Sequence, residues 1–96
     1  MMMQHLPIEV SICDIAPEKT GIWQAIPSPC GVVGTMADLC YRVIAPDNEE
    51  LGLIEWWNGD LVYFVSSQSL QLPRVRRQTI EECILYLAQM WVKQTV

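Results

Sequence analysis

The chain has 96 residues, of which 51% are hydrophobic and only 18% are charged, and its formal net charge is −5. Globular proteins usually carry about 25% charged residues, so the apolar surplus favours association or a ligand groove over an isolated monomer. The length fits a single domain over residues 1–96, and the acidic balance argues against a nucleic-acid partner, which usually requires a basic face.

The amino terminus, MMMQHLPIEVSI, has neither the basic start nor the continuous apolar run of a secretory signal. No apolar run in the chain approaches the ~20 residues that cross a bilayer. We therefore expect a cytoplasmic protein with no membrane contact. This segment also holds the single histidine, His5, which would complete a Ser-His-Asp triad only if the amino-terminal arm docked into a site.

The first half of the chain shows a strand pattern interrupted by turn-forming residues. Apolar and polar side chains alternate over 7–15, which predicts a half-buried strand, and 22–26 favours a short second strand. The stretch PSPCGVVG that follows holds two prolines and two glycines and is typical of a loop. A further strand is predicted over 36–45.

The most apolar part of the chain surrounds the dipeptide Asn58-Gly59, which is typical of a two-residue hairpin turn. Such a turn would pair Trp57 with Asp60 and Trp56 with Leu61, and it would join the strands on either side of it. Together with 36–45 these strands form an antiparallel meander. The stretch SQSLQLPRVRR that follows is interpreted as a connector, because Pro73 cannot donate to a sheet ladder.

The stretch TIEECILYLAQMWVKQ predicts a helix, because Thr79 and Glu82 have the spacing of a capping box. A stripe of apolar residues recurs at helical spacing: Ile80, Cys83, Ile84, Leu87, Met90 and Trp91. The sequence therefore predicts an α+β domain, in which an antiparallel meander of four to five strands carries one C-terminal amphipathic helix on one face.

The hairpin register assigns its side chains to two faces. The face expected against the helix carries Ile54, Trp56, Leu61, Tyr63 and Val65. The second face is the candidate ligand or partner face and carries Leu53, Glu55, Trp57, Asp60, Val62 and Phe64. One helix covers only one face, so three coverings of the second face stay open: the segment 1–30, a second copy of the chain, or a small ligand. An organic cation would suit an indole between two carboxylates.

Four cysteines stand at positions 13, 30, 40 and 83, without a CxxC motif or a zinc-binding spacing that uses His5. Cys13, Cys40 and Cys83 lie in apolar segments and are expected to be buried reduced thiols. Cys30 lies in the loop and is the candidate reactive cysteine. We expect no metal site and no cofactor.

The sequence contains no phosphate-binding glycine loop or dinucleotide fingerprint, so we expect no enzymatic activity. Arg74, Arg76 and Arg77 lie just before the predicted helix, where backbone N–H groups and the helix dipole favour anions. They form a candidate anion site, unless they pair with Glu81, Glu82 or the acidic turn over 47–50.

These observations predict a non-catalytic binding or assembly module that acts as a homodimer. Its strand-rich composition, single helix and lack of a catalytic motif are typical of accessory proteins of mobile elements. Two alternatives stay open: a protein that binds an organic cation on the second hairpin face, and an adaptor that holds an acidic partner through the arginines.

Overall fold

The computed structural model describes residues 7–95, which form a six-stranded antiparallel sheet and one long helix. The strands are β1 (Ile8–Ile12), β2 (Gly21–Pro27), β3 (Leu39–Ile44), β4 (Glu50–Trp56), β5 (Tyr63–Ser67) and β6 (Leu72–Arg77). A short helix, α1 (Cys30–Val33), lies between β2 and β3, and α2 (Ile80–Thr95) follows β6. A 3₁₀ turn, Pro17–Lys19, joins β1 to β2. The strands neighbour one another in chain order, so the α+β class and the meander are confirmed.

The predicted strand count of four to five was wrong, because β6 was interpreted as a connector. Pro73 lies inside β6 and lacks the N–H that a central strand needs. Within the described sheet β6 is an edge strand that pairs only with β5, so a missing donor is tolerated there.

The predicted hairpin register was also wrong. Trp56 pairs with Tyr63 instead of Leu61, so the ladder stops earlier and the connecting loop is longer. The observed partner of Trp56 therefore lies two positions beyond the predicted one. Because side chains in a strand alternate with a period of two, a shift of two residues leaves the strand residues on their predicted faces. Leu61, which was expected against the helix, is 74% exposed in the loop.

The turn itself explains the change of register. The backbone N–H of Asp60 donates to the carbonyl oxygen of Trp57 at 3.0 Å, so a turn does form at Asn58-Gly59. Neither central residue has the positive φ that a type I′ hairpin turn requires. The positive φ falls on Leu61 instead, at 58°, and the chain leaves the ladder there.

Helix α2 covers one face of the sheet, hereafter the inner face. The apolar stripe predicted for the helix is largely confirmed, because Cys83, Ile84 and Leu87 are fully buried. Gly52 on β4 lets α2 approach closely: a Cβ added there would lie 2.5 Å from Leu87 Cδ1. The sheet contributes these buried residues to the core: Ile12, Trp23, Ala25, Tyr41, Val43, Ala45, Leu51, Ile54 and Val65.

The helix begins where the capping box was predicted. The backbone N–H of Glu82 donates to Thr79 Oγ1 at 3.1 Å, and the Thr79 hydroxyl lies 3.1 Å from Glu82 Oε1. The cap satisfies one of the four backbone donors that the first turn of a helix leaves without an intrahelical partner.

The opposite face of the sheet, hereafter the outer face, is crossed by segment 28–38, hereafter the covering segment. Two parts of the amino-terminal stretch that was considered as a cover, β1 and β2, instead belong to the sheet itself. Residues 1–6, including His5, lie outside the described residues. The covering segment contains α1, and its contacts with the outer face define the candidate site described next.

Candidate functional site

Glu55 lies at the centre of the outer face and is 7% exposed. Its strand neighbours are Cys40 on β3 and Phe64 on β5, both of which are also buried. An ionisable group removed from water in this way needs hydrogen-bond or charge partners, because its desolvation is otherwise unfavourable. The partners of Glu55 come from two distant parts of the chain.

One partner belongs to the covering segment. The Thr35 hydroxyl donates a hydrogen bond to Glu55 Oε2, and the backbone N–H of Ala37 donates to Thr35 Oγ1 at 3.2 Å. Ala37 is itself 7% exposed. The buried carboxylate therefore anchors the covering segment to the sheet. Sequence reasoning missed Thr35, because nothing in its local pattern indicates a contact 20 residues away.

The other partner is Arg74 on β6, whose Nη1 lies 3.4 Å from Glu55 Oε1. The Arg74 guanidinium also lies over the Phe64 ring, with its Cζ 4.4 Å from the ring centroid. Arg76 lies over the same ring at 5.7 Å. The two guanidinium groups and the ring beneath them, hereafter the arginine platform, form a cation–π arrangement on the outer face of β6.

Arg77 is separated from the other two arginines. It alternates to the inner side of β6, where its Cζ lies 4.6 Å from the ring centroid of Tyr86 on α2. Its Nη1 donates to the Arg76 carbonyl oxygen at 2.5 Å. Of the three arginines in the predicted anion site, only Arg74 and Arg76 therefore lie together on the outer face.

The arginine platform retains unneutralised charge. Within residues 7–95 Arg76 forms no ion pair, and the only ion pair of Arg74 is the 3.4 Å contact with Glu55. The alternative expectation was that these arginines pair with Glu81, Glu82 or the acidic turn. The described residues show no such pair, and the acidic turn serves other cations.

Lys19 pairs with two carboxylates of the acidic turn. Its Nζ lies 2.5 Å from Asp47 Oδ2 and 2.8 Å from Glu49 Oε1, although the residue is 3% exposed. Burial opposes the charge of Lys19 and is the largest single influence on its pKa, but the hydrogen bonds that Lys19 donates to the two carboxylates, together with their charges, raise the pKa above its ordinary value. The hydrogen bond that Asp47 accepts from Lys19 lowers the pKa of Asp47. The third carboxylate of the turn, Glu50, accepts a 2.9 Å hydrogen bond from Arg42 Nε at its Oε1.

The remaining residues of the predicted partner face are not gathered into one surface. Leu53 is half-buried on β4, whereas Trp57, Asp60 and Val62 lie in the loop after it. Asp60 is exposed in the turn, and Trp57 Nε1 is buried without a hydrogen-bond partner among residues 7–95. An organic cation at Glu55 would therefore have to displace Arg74 from the carboxylate.

An open groove of about 570 Å³ lies beside the covering segment, between α1 and the end of the β4–β5 hairpin. Val33, Leu53 and Ser66 line it, and Glu50 is its only titratable side chain. Among residues 7–95 there is no group of three or more His, Cys, Asp or Glu side chains able to hold a metal ion.

The cysteines divide by environment. Cys40 and Cys83 are buried, as expected, and burial raises their pKa values to about 11 and about 12 respectively. The prediction for Cys13 was wrong: it is exposed, because β1 ends at Ile12 and the chain turns at once. Cys30 is half-buried on α1.

Comparison with known proteins gives no relative: no family model matches the chain, and no match was found among curated proteins or solved structures. Within residues 7–95 no helix is both long enough and apolar enough to cross a membrane.

Proposed function

We propose that the chain is a non-catalytic binding module that docks an acidic segment of a partner protein on the arginine platform. One observation carries the proposal: Arg76 lies over Phe64 without a carboxylate partner in residues 7–95, beside an Arg74 that holds Glu55 only at 3.4 Å. Arginine guanidinium groups bind carboxylates through two parallel hydrogen bonds, which gives both strength and orientation.

The ring of Phe64 makes the platform a favourable place for such a contact. Phe64 is 8% exposed beneath the guanidinium groups, and packing on its ring restricts two arginine side chains that stay exposed to solvent. A group that is already ordered loses less conformational entropy when a ligand binds. Half of the six basic residues of the chain lie between positions 74 and 77, so this is the densest positive charge of an acidic protein.

A protein segment suits the platform better than a nucleic acid does. Nucleic-acid affinity grows with the number of phosphates neutralised, so binders present a long basic surface. This chain has a net charge of −5 and offers two guanidinium groups on the outer face. A short peptide with one or two carboxylates matches that number of contacts without bringing a continuous line of negative charge.

The proposal is tested with a fluorescently labelled peptide of alternating Glu and Val residues, measured by fluorescence anisotropy. Arg76→Gln should weaken binding about tenfold, since a charge-assisted hydrogen bond contributes about 1.5–3 kcal/mol. Added salt should weaken binding of the unaltered protein, because exposed charges are screened.

Lys93→Gln is the matched control, because it removes one exposed positive charge from α2, away from the platform. Equal weakening by Arg76→Gln and Lys93→Gln would contradict the proposal, since the attraction would then depend on overall charge alone. Tighter binding of a single-stranded oligonucleotide than of the peptide would also contradict it.

Homodimerisation is a second candidate, supported by exposed apolar side chains on the outer side of the molecule. Val32 and Met36 on the covering segment are 81% and 90% exposed. Exposed apolar patches commonly mark interaction surfaces. Phe64, on the hairpin face for which a second copy of the chain was considered as a cover, lies under the arginines, so the covering segment is the better contact for a second copy.

Sedimentation equilibrium over a concentration series tests the dimer. The double variant Val32→Lys with Met36→Lys should shift the mass to that of a monomer, because it adds charge to the apolar surface. Leu85→Lys on α2, where Leu85 is 43% exposed, is the control and should leave the mass unchanged. A monomeric mass for the unaltered chain at every concentration would exclude this candidate.

A further inference from the structure

The β2–β3 ladder ends beside Cys40. The last pair of the ladder is Pro27 with Tyr41, and the next backbone N–H, that of Ser28, donates to the Cys40 carbonyl oxygen at 2.9 Å. The chain leaves the sheet at this point, and α1 begins two residues later with Cys30. The ladder thus brings the two cysteines together although they are ten positions apart in the sequence.

The two thiols share one environment. Cys30 and Cys40 line the same open cavity of about 350 Å³, and the nearby Cys30 is one of the causes, after burial, that raise the pKa of Cys40. Cys40 is 3% exposed, whereas Cys30 is half-buried and open to a small reagent. Cys83, in contrast, lies on the face of α2 that packs against the sheet and is fully buried in the core.

From this placement we propose that Cys30 and Cys40 form an intramolecular disulfide by exchange with a low-molecular-weight disulfide, and that the bond fixes the covering segment on the outer face. This inference is independent of the acidic-partner proposal. It concerns a covalent modification of the covering segment, whereas that proposal concerns charge on β6.

The exchange takes two steps. The Cys30 thiolate attacks one sulfur of the reagent, the S–S bond of the reagent breaks, and one small thiolate leaves. The Cys40 sulfur, after losing its proton, attacks the Cys30 sulfur of the mixed disulfide and releases the second small thiolate. Two protein thiols are oxidised, one small disulfide is reduced to two thiols, and the two protein protons pass to the departing thiolates.

The bond would add a second attachment to the covering segment. In the reduced protein the hydroxyl of Thr35 holds the segment to Glu55. A disulfide at Cys30 attaches the other end of the segment to β3, directly beside Glu55 in the ladder. Movement of the segment away from the outer face would then require a covalent bond to break.

Oxidised glutathione is the probe, and Cys13→Ser is the background, because the exposed Cys13 would otherwise form disulfides between molecules. Mass spectrometry should show a product lighter than the reduced protein by two hydrogen atoms. Peptide mapping should join the peptides that contain Cys30 and Cys40. Hydrogen exchange over 28–38 should slow at least severalfold in this product.

Cys30→Ser in the same background separates the steps, since it removes the accessible thiol and leaves the sheet intact. It should form neither the intramolecular product nor a stable glutathione adduct. A stable adduct on Cys30 that never resolves would overturn the proposal, because Cys40 would then be out of reach. A disulfide with unchanged exchange over 28–38 would overturn the claim that the bond fixes the segment.

Discussion

The two faces of the sheet are closed by different means. The inner face is covered by α2 along an apolar stripe, and its residues Ile54 and Val65 are fully buried, as is Leu87 on the helix. The outer face is covered by a segment with a single short helix, and its centre is the buried carboxylate Glu55. Apolar contact is non-directional, whereas a buried carboxylate depends on particular donors in particular places.

This difference predicts that substitutions on the two faces will have different effects. Changes on the inner face should act mainly on the free energy of unfolding, because they remove or overfill packed volume. Changes on the outer face should act mainly on the position of the covering segment and on binding. The following variants test this difference between the faces and are given in order of their expected effect on stability.

Leu87→Ala should have the largest effect, a loss of about 2–5 kcal/mol in the free energy of unfolding, since it empties a fully buried leucine position. Urea denaturation followed by tryptophan fluorescence measures it. Leu85→Ala, on the exposed side of the same helix, is the control and should change stability by less than about 0.5 kcal/mol. A loss below about 1 kcal/mol for Leu87→Ala would show that the inner face is not the main source of stability.

Gly52→Ala should destabilise by about 1–3 kcal/mol, because the added Cβ meets the Leu87 methyl groups and the Ser66 carbonyl oxygen. Leu87→Ala removes the first of these obstacles. The double variant should therefore be more stable than the sum of the two single losses predicts, and thermal unfolding of all four proteins measures the difference. Strict additivity would mean that the Leu87 methyl groups do not limit the approach of α2 at Gly52.

Glu55→Gln should cost about 1–2 kcal/mol, because it removes the charge from the bonds to Thr35 and Arg74. Hydrogen exchange over 28–38 should become faster while exchange in α2 stays unchanged. Glu50→Gln, which alters an exposed carboxylate paired with Arg42, is the matched control and should leave the covering segment as it is. Faster exchange in α2 as well would mean that the two faces do not open separately.

Thr79→Ala should cost about 1 kcal/mol through the lost cap of α2. Differential scanning calorimetry measures the change in melting temperature. Thr79→Ser retains the hydroxyl and should restore most of the loss. If Thr79→Ala melted at the temperature of the unaltered protein, the hydrogen bond to the Glu82 backbone N–H would contribute nothing to the helix.

Arg76→Gln should have the smallest effect on stability, within about 0.5 kcal/mol, because its side chain forms no ion pair in residues 7–95. Its expected consequence is the weaker peptide binding described above. Equilibrium urea unfolding of the same preparation checks the stability. A loss above about 2 kcal/mol would assign the arginine platform to the fold and weaken its case as a binding surface.

Local patterns in the sequence were sufficient to predict helix α2 and the strands β1, β4 and β5. The capping residues Thr79 and Glu82 and the apolar stripe predict α2 to within a residue at each end. The alternation in β1 and the apolar run in β4 and β5 predict strands and their faces. These signals are local because helix caps and side-chain periodicity depend on residues only a few positions apart.

Only the tertiary structure decided the sixth strand, the hairpin register and the candidate site. Pro73 argues against a strand until β6 is known to be at the edge, and Leu61 shows its positive φ only in the folded loop. Thr35 and Arg74 reach Glu55 across separations of 20 and 19 residues. No local propensity encodes such contacts, because they exist only once the meander has brought β4, β6 and the covering segment onto one face of the sheet.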